Sequence, residues 1–223
     1  MTNETNTTGN TVLHGNCIAL MGKLDAGSID FILTDPPYLV NYRDRSGRRV
    51  RNDDNADWLA PAYAQMFRVL KDRSFAVTFY GYTKIDLFMA AWKEAGFRTV
   101  GHFVFCKKYT SSQRFTQYRH EQAYLLAKGY PEAPACPPPD VIPWTYSGNK
   151  LHPTQKPVGI LKPLIEAFTR PGDVVLDPFC GSGSTLVAAR ELGRRSIGME
   201  LDIVHRETAF RRVMEKPLPQ PTA

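Results

Sequence analysis

Short runs of β-branched and aromatic residues alternate along the chain with longer stretches whose apolar positions recur at helical spacing. Val12 to His14 has the pattern of a short strand. Ile29 to Leu33 reads as a buried strand, halted at Asp35-Pro36-Pro37 because two adjacent prolines remove ladder donors. Trp58 to Leu70 carries apolar residues at intervals of three and four and predicts a helix, followed by a strand over Phe75 to Tyr80. Ile85 to Ala95 predicts a helix stopped by Gly96, and Phe97 to Cys106 with Gln122 to Ala127 predict an antiparallel pair joined by the polar stretch between them. A helix over Leu161 to Phe168, a strand over Val174 to Leu176, a helix over Ser184 to Leu192 and a strand over Arg195 to Met199 complete the pattern. Strands alternating with helices predict an α/β fold, with a mostly parallel sheet and helices on both faces.

Three segments break this rhythm: a charged loop over Asn41 to Asp57, a proline-rich stretch over Gly129 to Asn149, and a tail from Lys216 onward. There is no internal repeat. One domain over residues 1–215 with a short insertion at about 129–150 is simpler than two domains, and 216–223 is expected to be a disordered tail.

Composition changes this picture only where charge is concerned. The chain has 223 residues and a formal charge of +6. Arg43, Arg45, Arg48, Arg49 and Arg51 oppose one acid, Asp44, within Tyr42 to Arg51 of the first loop, and Lys107, Lys108, Arg114 and Arg119 oppose none in the stretch 107–119. These two segments carry more positive charge than the whole chain, so the remainder is slightly acidic. Both are interleaved with aromatics (Tyr42, Tyr109, Phe115, Tyr118), as a nucleic-acid surface would be, although solvated loops fit the same pattern.

Other classes fall away. No segment approaches the roughly 18 apolar residues of a membrane span, and Met1 to Thr11 lacks the cationic start and apolar run of a signal peptide. Cys17, Cys106, Cys136 and Cys180 are widely spaced, without C-x-x-C pairs or histidines at metal-ligand spacing. Neither a disulfide framework nor a metal site is expected, and the reducing cytoplasm fits best.

Three constellations carry chemistry. Thr34-Asp35-Pro36-Pro37-Tyr38 ends a predicted parallel strand with an acid, stiff carbonyls and a ring, a slot suited to a planar base bearing an amine. In Val174 to Thr185 a strand ends at Asp177 and a turn, Phe179-Cys180-Gly181-Ser182-Gly183, opens a helix at Ser184 and Thr185. Its glycines permit close backbone approach, and the helix start offers free amides to a carboxylate. Neither the dinucleotide nor the P-loop spacing is met. Glu200, ending the next strand just before Leu201, stands where an acid grips a ribose diol. The third constellation is His152-Pro153-Thr154-Gln155-Lys156-Pro157, in which Thr154 and Lys156 could hold the carboxylate of an amino-acid-like cofactor.

With these motifs in this order, the sequence resembles the amino-type DNA methyltransferases of the permuted, beta class. There a D-P-P-Y catalytic motif comes first and an F-x-G-x-G cofactor motif near the end, with an H-P-T-Q-K-P segment between them; Asp35 to Tyr38, Phe179 to Gly183 and His152 to Pro157 match them. His120-Glu121 resembles a further family signature, and Gly15-Asn16-Cys17 a G-D-C opening with Asn in place of Asp. The resemblance spans roughly residues 12–210. It implies a Rossmann-like methyltransferase fold, a seven-stranded sheet with one antiparallel strand, S-adenosyl-L-methionine as cofactor and no metal. It also implies double-stranded DNA as partner, with the base flipped into the slot at Asp35, Pro36, Pro37 and Tyr38. Phe179, Gly181 and Gly183 would wrap the cofactor, with Cys180, Ser182, Ser184, Thr185 and Leu201 beside them. Glu200 would bind the ribose, Asp177 would lie near the amino group, Asn16 and Cys17 near the adenine, and His152, Thr154, Gln155 and Lys156 at the carboxylate end.

D-P-P-Y favours adenine-N6 as acceptor, with cytosine-N4 the nearest competitor, an RNA or protein methyltransferase the next, and a catalytically silent DNA-binding protein a fourth. Twenty-odd residues are few for target recognition, so the two basic segments are expected to share the DNA contacts, across a homodimer.

Overall fold

A computed structural model describes residues 9–43, 47, 51–113, 115–144 and 155–214. The Pro-rich and terminal segments are therefore covered only in part. Ten strands and six helices occur among the described residues. The strands are β1 (Asn10–His14), β2 (Ile29–Thr34), β3 (Leu70–Phe79), β4 (Arg98–Cys106), β5 (Ser112–Gln113), β6 (Gln117–Tyr118), β7 (His120–Lys128), β8 (Val141–Pro143), β9 (Val174–Asp177) and β10 (Arg195–Glu200). The helices are α1 (Cys17–Met21), α2 (Leu59–Val69), α3 (Ile85–Ala95), α4 (Val158–Phe168), α5 (Ser184–Glu191) and α6 (Ile203–Met214).

Eight strands form one sheet in the order β1-β10-β9-β2-β3-β7-β4-β8, and β5 with β6 form a separate small hairpin. All pairings in the sheet are parallel except those of β7, which runs antiparallel to both β3 and β4. The single reversed strand agrees with the sequence expectation, but seven strands become eight. The extra one is β8, at an edge, where the proline-rich insertion supplies Val141 to Pro143 to β4. Proline is tolerated there because an edge strand needs only one ladder.

Side-chain alternation along the central strands sorts the core into two layers. Phe31, Leu33, Val77, Phe79 and Val175 join α4 and α5 on one face, while Ile32, Ala76 and Leu176 join α1, α2 and α3 on the other. Helix α2 follows β2 and α5 follows β9, so these neighbouring parallel strands send their chains to opposite faces and leave a crevice at their carboxyl ends. Helix α3 ends as its glycine predicts: Gly96 has φ 101° and Phe97 N–H donates to the Trp92 carbonyl at 2.9 Å. Helices α1 and α6, for which the periodicity gave no prediction, are short or weakly amphipathic. Asn16 caps α1, accepting from Ile18 N–H at 2.8 Å.

Candidate active site

The crevice between the ends of β2 and β9 gathers most of the residues singled out in the sequence. Asn16, Cys17, Asp35, Pro36, Pro37 and Tyr38 line it from one side. Gln155 and Lys156 close it near the base of α4, and Asp177, Phe179, Cys180, Gly181, Ser182, Ser184, Thr185, Glu200 and Leu201 form the other wall. His152 and Thr154 lie outside the described residues. Gly183 is the exception, since it does not line the crevice. With φ 82° it caps α5, and a Cβ there would stand 2.9 Å from that of Ala209, so it serves the packing of α5 on α6.

Thr34 joins the two motifs. It ends β2, and its hydroxyl donates to Asp177 Oδ1, at the end of β9, at 2.8 Å; Phe179 N–H donates to the same oxygen at 3.2 Å. Burial pushes the Asp177 carboxyl up to about 7, against the lowering effect of the Thr34 and Thr185 hydroxyls and the Phe179 amide. Glu200 accepts from Gly181 N–H at 2.9 Å and from Asp202 N–H at 2.7 Å, which pins it beside the glycine turn. Its carboxyl is also raised by burial, and those two amides pull it down. The Ser184 hydroxyl, at the first turn of α5, is buried in the crevice wall with no hydrogen-bond partner in the protein.

At the slot, Tyr38 O–H donates to Asp35 Oδ1 at 2.9 Å, and the Lys156 ammonium donates to Asp35 Oδ2 at 2.6 Å and to the Tyr38 oxygen at 3.1 Å. Lys156 is buried, with its ammonium 4.8 Å from the Phe79 ring centroid and 5.3 Å from that of Tyr38. The expectation placed this ammonium at the cofactor carboxylate, whereas in the structure it meets Asp35. Burial raises the Asp35 carboxyl, Lys156 and then Tyr38 lower it, and the charge of Glu121 raises it. Asn16 likewise has its side-chain oxygen engaged, by the α1 cap.

Of the expected DNA-contacting cations, Arg43, Arg51, Lys108 and Arg119 are exposed, and Arg51 lines the crevice and pairs with Asp202 at 3.5 Å. Arg45, Arg48, Arg49 and Arg114 lie outside the described residues. Lys107 corrects the expectation of a surface cation, because it is buried in an ion pair with Glu121.

Three residues that shape the site escaped the sequence reading. Asp53 is 2% exposed and accepts from Leu39 N–H at 2.7 Å and Tyr42 N–H at 2.6 Å, fastening the segment in which Leu39 (φ 61°) and Asn41 (φ 52°) are left-handed. Gly81 follows β3, and a Cβ there would stand 2.6 Å from the Tyr38 carbonyl oxygen. Glu121, noted as part of a signature but given no role, faces the Tyr38 hydroxyl at 3.5 Å. Only Asp53 had a usable signal, as the first of two adjacent acids closing a strongly basic loop.

Among the described residues no helix is long and apolar enough to cross a membrane, and no three acidic, histidine or cysteine side chains are grouped to hold a metal.

Residues 29–211 match the N6/N4 methyltransferase family, described as DNA methylase. The Escherichia coli K12 protein YubD is 57% identical over 189 residues, covering 85% of this chain and 83% of YubD. The DNA adenine methyltransferase YhdJ of the same strain is 28% identical over 250 residues, covering 91% of this chain and 82% of YhdJ. Among solved structures, the M1.HpyAVI-SAM complex matches with a TM-score of 0.72 at 24% identity, covering 92% of this chain and 98% of that one. PvuII DNA methyltransferase (cytosine-N4-specific) matches with a TM-score of 0.76 at 17% identity, covering 94% and 88%.

Proposed function

The chain belongs to the N6/N4 family of DNA methylases, and from that membership we propose that it moves a methyl group from S-adenosylmethionine to the exocyclic N6 of adenine in double-stranded DNA. The observation that carries this reading is the Thr34–Asp177 hydrogen bond, because it sets the Asp35 to Tyr38 slot against the glycine-turn crevice. A base held in the slot would then face a cofactor held in the crevice.

The residues fit such a cofactor. The unpartnered Ser184 hydroxyl and the start of α5 offer donors to a carboxylate, Asp177 offers an anion to an ammonium, and Glu200 offers its remaining lone pairs to a diol. When bound, S-adenosylmethionine supplies a methyl group already activated by a sulfonium. The protein's part is to position the amine and receive its proton. Asp35 and the Pro36 carbonyl accept the two N–H bonds of the amine, which turns its lone pair away from the ring and toward the crevice. Tyr38 stacks on the flipped base. Lys156 holds Asp35 in place and favours its anionic form. With the methyl group moved from sulfur to nitrogen, the sulfur left as a neutral thioether, the nitrogen would be acidic and Asp35 would accept its proton.

Adenine is preferred over cytosine on the D-P-P-Y sequence. The segment about 129–150, with the two basic segments, serves target recognition within a single domain over 1–215, and the chain acts as a homodimer. Nuclease digestion of treated DNA and mass spectrometry of the nucleosides tests the reading. N6-methyladenine is the expected product, N4-methylcytosine would overturn the choice of base, and an unmodified digest would overturn the activity.

A further inference from the structure

Beside the slot lies an ion pair that this chemistry leaves unused. Lys107 directly follows β4 and Glu121 is the second residue of β7, so the pair bridges the two ends of the excursion 107–119. Lys107 is 7% exposed. Its ammonium donates to Glu121 Oε1 at 2.5 Å and lies 5.2 Å from the Trp144 ring centroid and 5.9 Å from those of Tyr109 and Tyr118. The excursion is fastened at the same place by Lys107 N–H to the Arg119 carbonyl at 2.7 Å and Ser111 N–H to the Tyr118 carbonyl at 2.9 Å. Glu121 Oε2 faces the Tyr38 hydroxyl at 3.5 Å. Two ion pairs, Lys107 with Glu121 and Lys156 with Asp35, thus flank the neutral Tyr38 hydroxyl, which lies between the two carboxylates.

Stability alone is a poor account of this arrangement, since apolar residues of similar volume commonly serve a core as well as a buried ion pair does. The single phenolic proton of Tyr38 has two carboxylates within reach, Asp35 at 2.9 Å and Glu121 at 3.5 Å. With Lys107 neutralising Glu121, the shorter bond to Asp35 prevails. Without Lys107, the unbalanced Glu121 competes for the proton and draws the ring out of the slot. Without Glu121, the hydroxyl loses its second anchor and faces an uncompensated cation.

We propose that Lys107 and Glu121 are positioning residues that fix Tyr38 and tie its orientation to the root of the basic excursion. This rests on the methyltransferase reading above.

The test compares Lys107→Met, Glu121→Gln and the double variant with the unsubstituted chain. Methyl transfer, affinity for S-adenosylmethionine, salt dependence of DNA binding and thermal midpoint are measured for each. The expected result is a kcat lower by about tenfold or more in every variant, with cofactor affinity and the salt slope unchanged. The double variant recovers the thermal midpoint lost by the singles but not kcat. Recovery of kcat together with the midpoint would make the pair merely structural and overturn the proposal. So would intact kcat in the single variants, or a salt slope shallower by about one in Lys107→Met with kcat intact, the signature of a phosphate contact. Absence of methyl transfer by the unsubstituted chain would overturn both readings at once, which separates that failure from the others.

Discussion

Asp177 ends a central strand with its carboxylate buried, and its neighbours only partly compensate for the lost water. Its carboxyl is pushed up to about 7 in the fold, so between about pH 4 and pH 7 the folded chain holds a proton that the unfolded chain has released. The proton balance makes stability fall as pH rises through that window, and above it the cost levels off at about 4 kcal/mol. Asp177→Asn is therefore expected to raise the thermal midpoint of the cofactor-free protein at pH 8 and to change it little at pH 4. On the proposed binding mode, binding would reverse the balance, because a cofactor ammonium beside Asp177 would favour the anion and expel the proton. Cofactor affinity should then rise from pH 5 to pH 7, with proton release visible by calorimetry in buffers of different ionisation enthalpy. Asp177→Asn should remove both. In the proposed reaction Asp35 serves the base. Asp35→Ala is expected to abolish methyl transfer while equilibrium dialysis still finds S-adenosylmethionine bound, and full activity in that variant would exclude Asp35 from the chemistry.

The slot is assembled by two neighbouring strands. Strand β2 delivers Asp35 to Tyr38, and β3, in register with it from Phe31 opposite Phe75 to Thr34 opposite Thr78, ends two residues before Gly81. The Tyr38 backbone passes so close to Gly81 that even a methyl group would meet its carbonyl. Gly81→Ala should move Tyr38 by enough to lower kcat by about ten- to a hundredfold, while cofactor affinity, which the proposed reading assigns to the ends of β9 and β10 and the start of α5, stays near that of the parent. A fall in cofactor affinity equal to the fall in kcat would mean the whole crevice had shifted. This dependence also marks what the sequence could reveal. Short, nearly continuous apolar runs predicted the central strands because both faces are covered, and Gly96 announced the end of α3. The motifs at Asp35 to Tyr38 and at Phe179 to Gly183 located the crevice because each follows a strand directly. Gly81 was invisible because its φ of −84° is ordinary and only a tertiary approach requires glycine. Glu121 and Lys107 were opaque for a related reason: a buried charge and a solvated one have the same letter, and only packing distinguishes them. Strand β8 was hidden by its three-residue length and its proline.

At the scale of the molecule, the excess charge matters through its placement around the crevice. Tyr42, Arg51, Asn52 and Asp53 of the first basic loop line it, with Asp53 fastening the backbone and the Arg51 side chain 67% exposed. Lys108 and Arg119 are exposed beyond the buried Lys107, so the second segment also turns charge outward. Each cation that meets a phosphate releases counterions, and log affinity then falls with log salt by about 0.9 per contact. Neutralising Arg48, Arg49 and Arg51 together should flatten the salt slope by about three and weaken binding to all sequences alike. Neutralising Lys108 and Arg119 should flatten it by about two. Lys162 on α4 pairs with Glu191 at 2.7 Å, and Lys162→Gln should leave the slope unchanged. Filter binding across a salt series measures all three. An unaltered slope in the triple variant would remove the loop from the DNA interface and leave Asp53 and Arg51 as parts of the crevice alone.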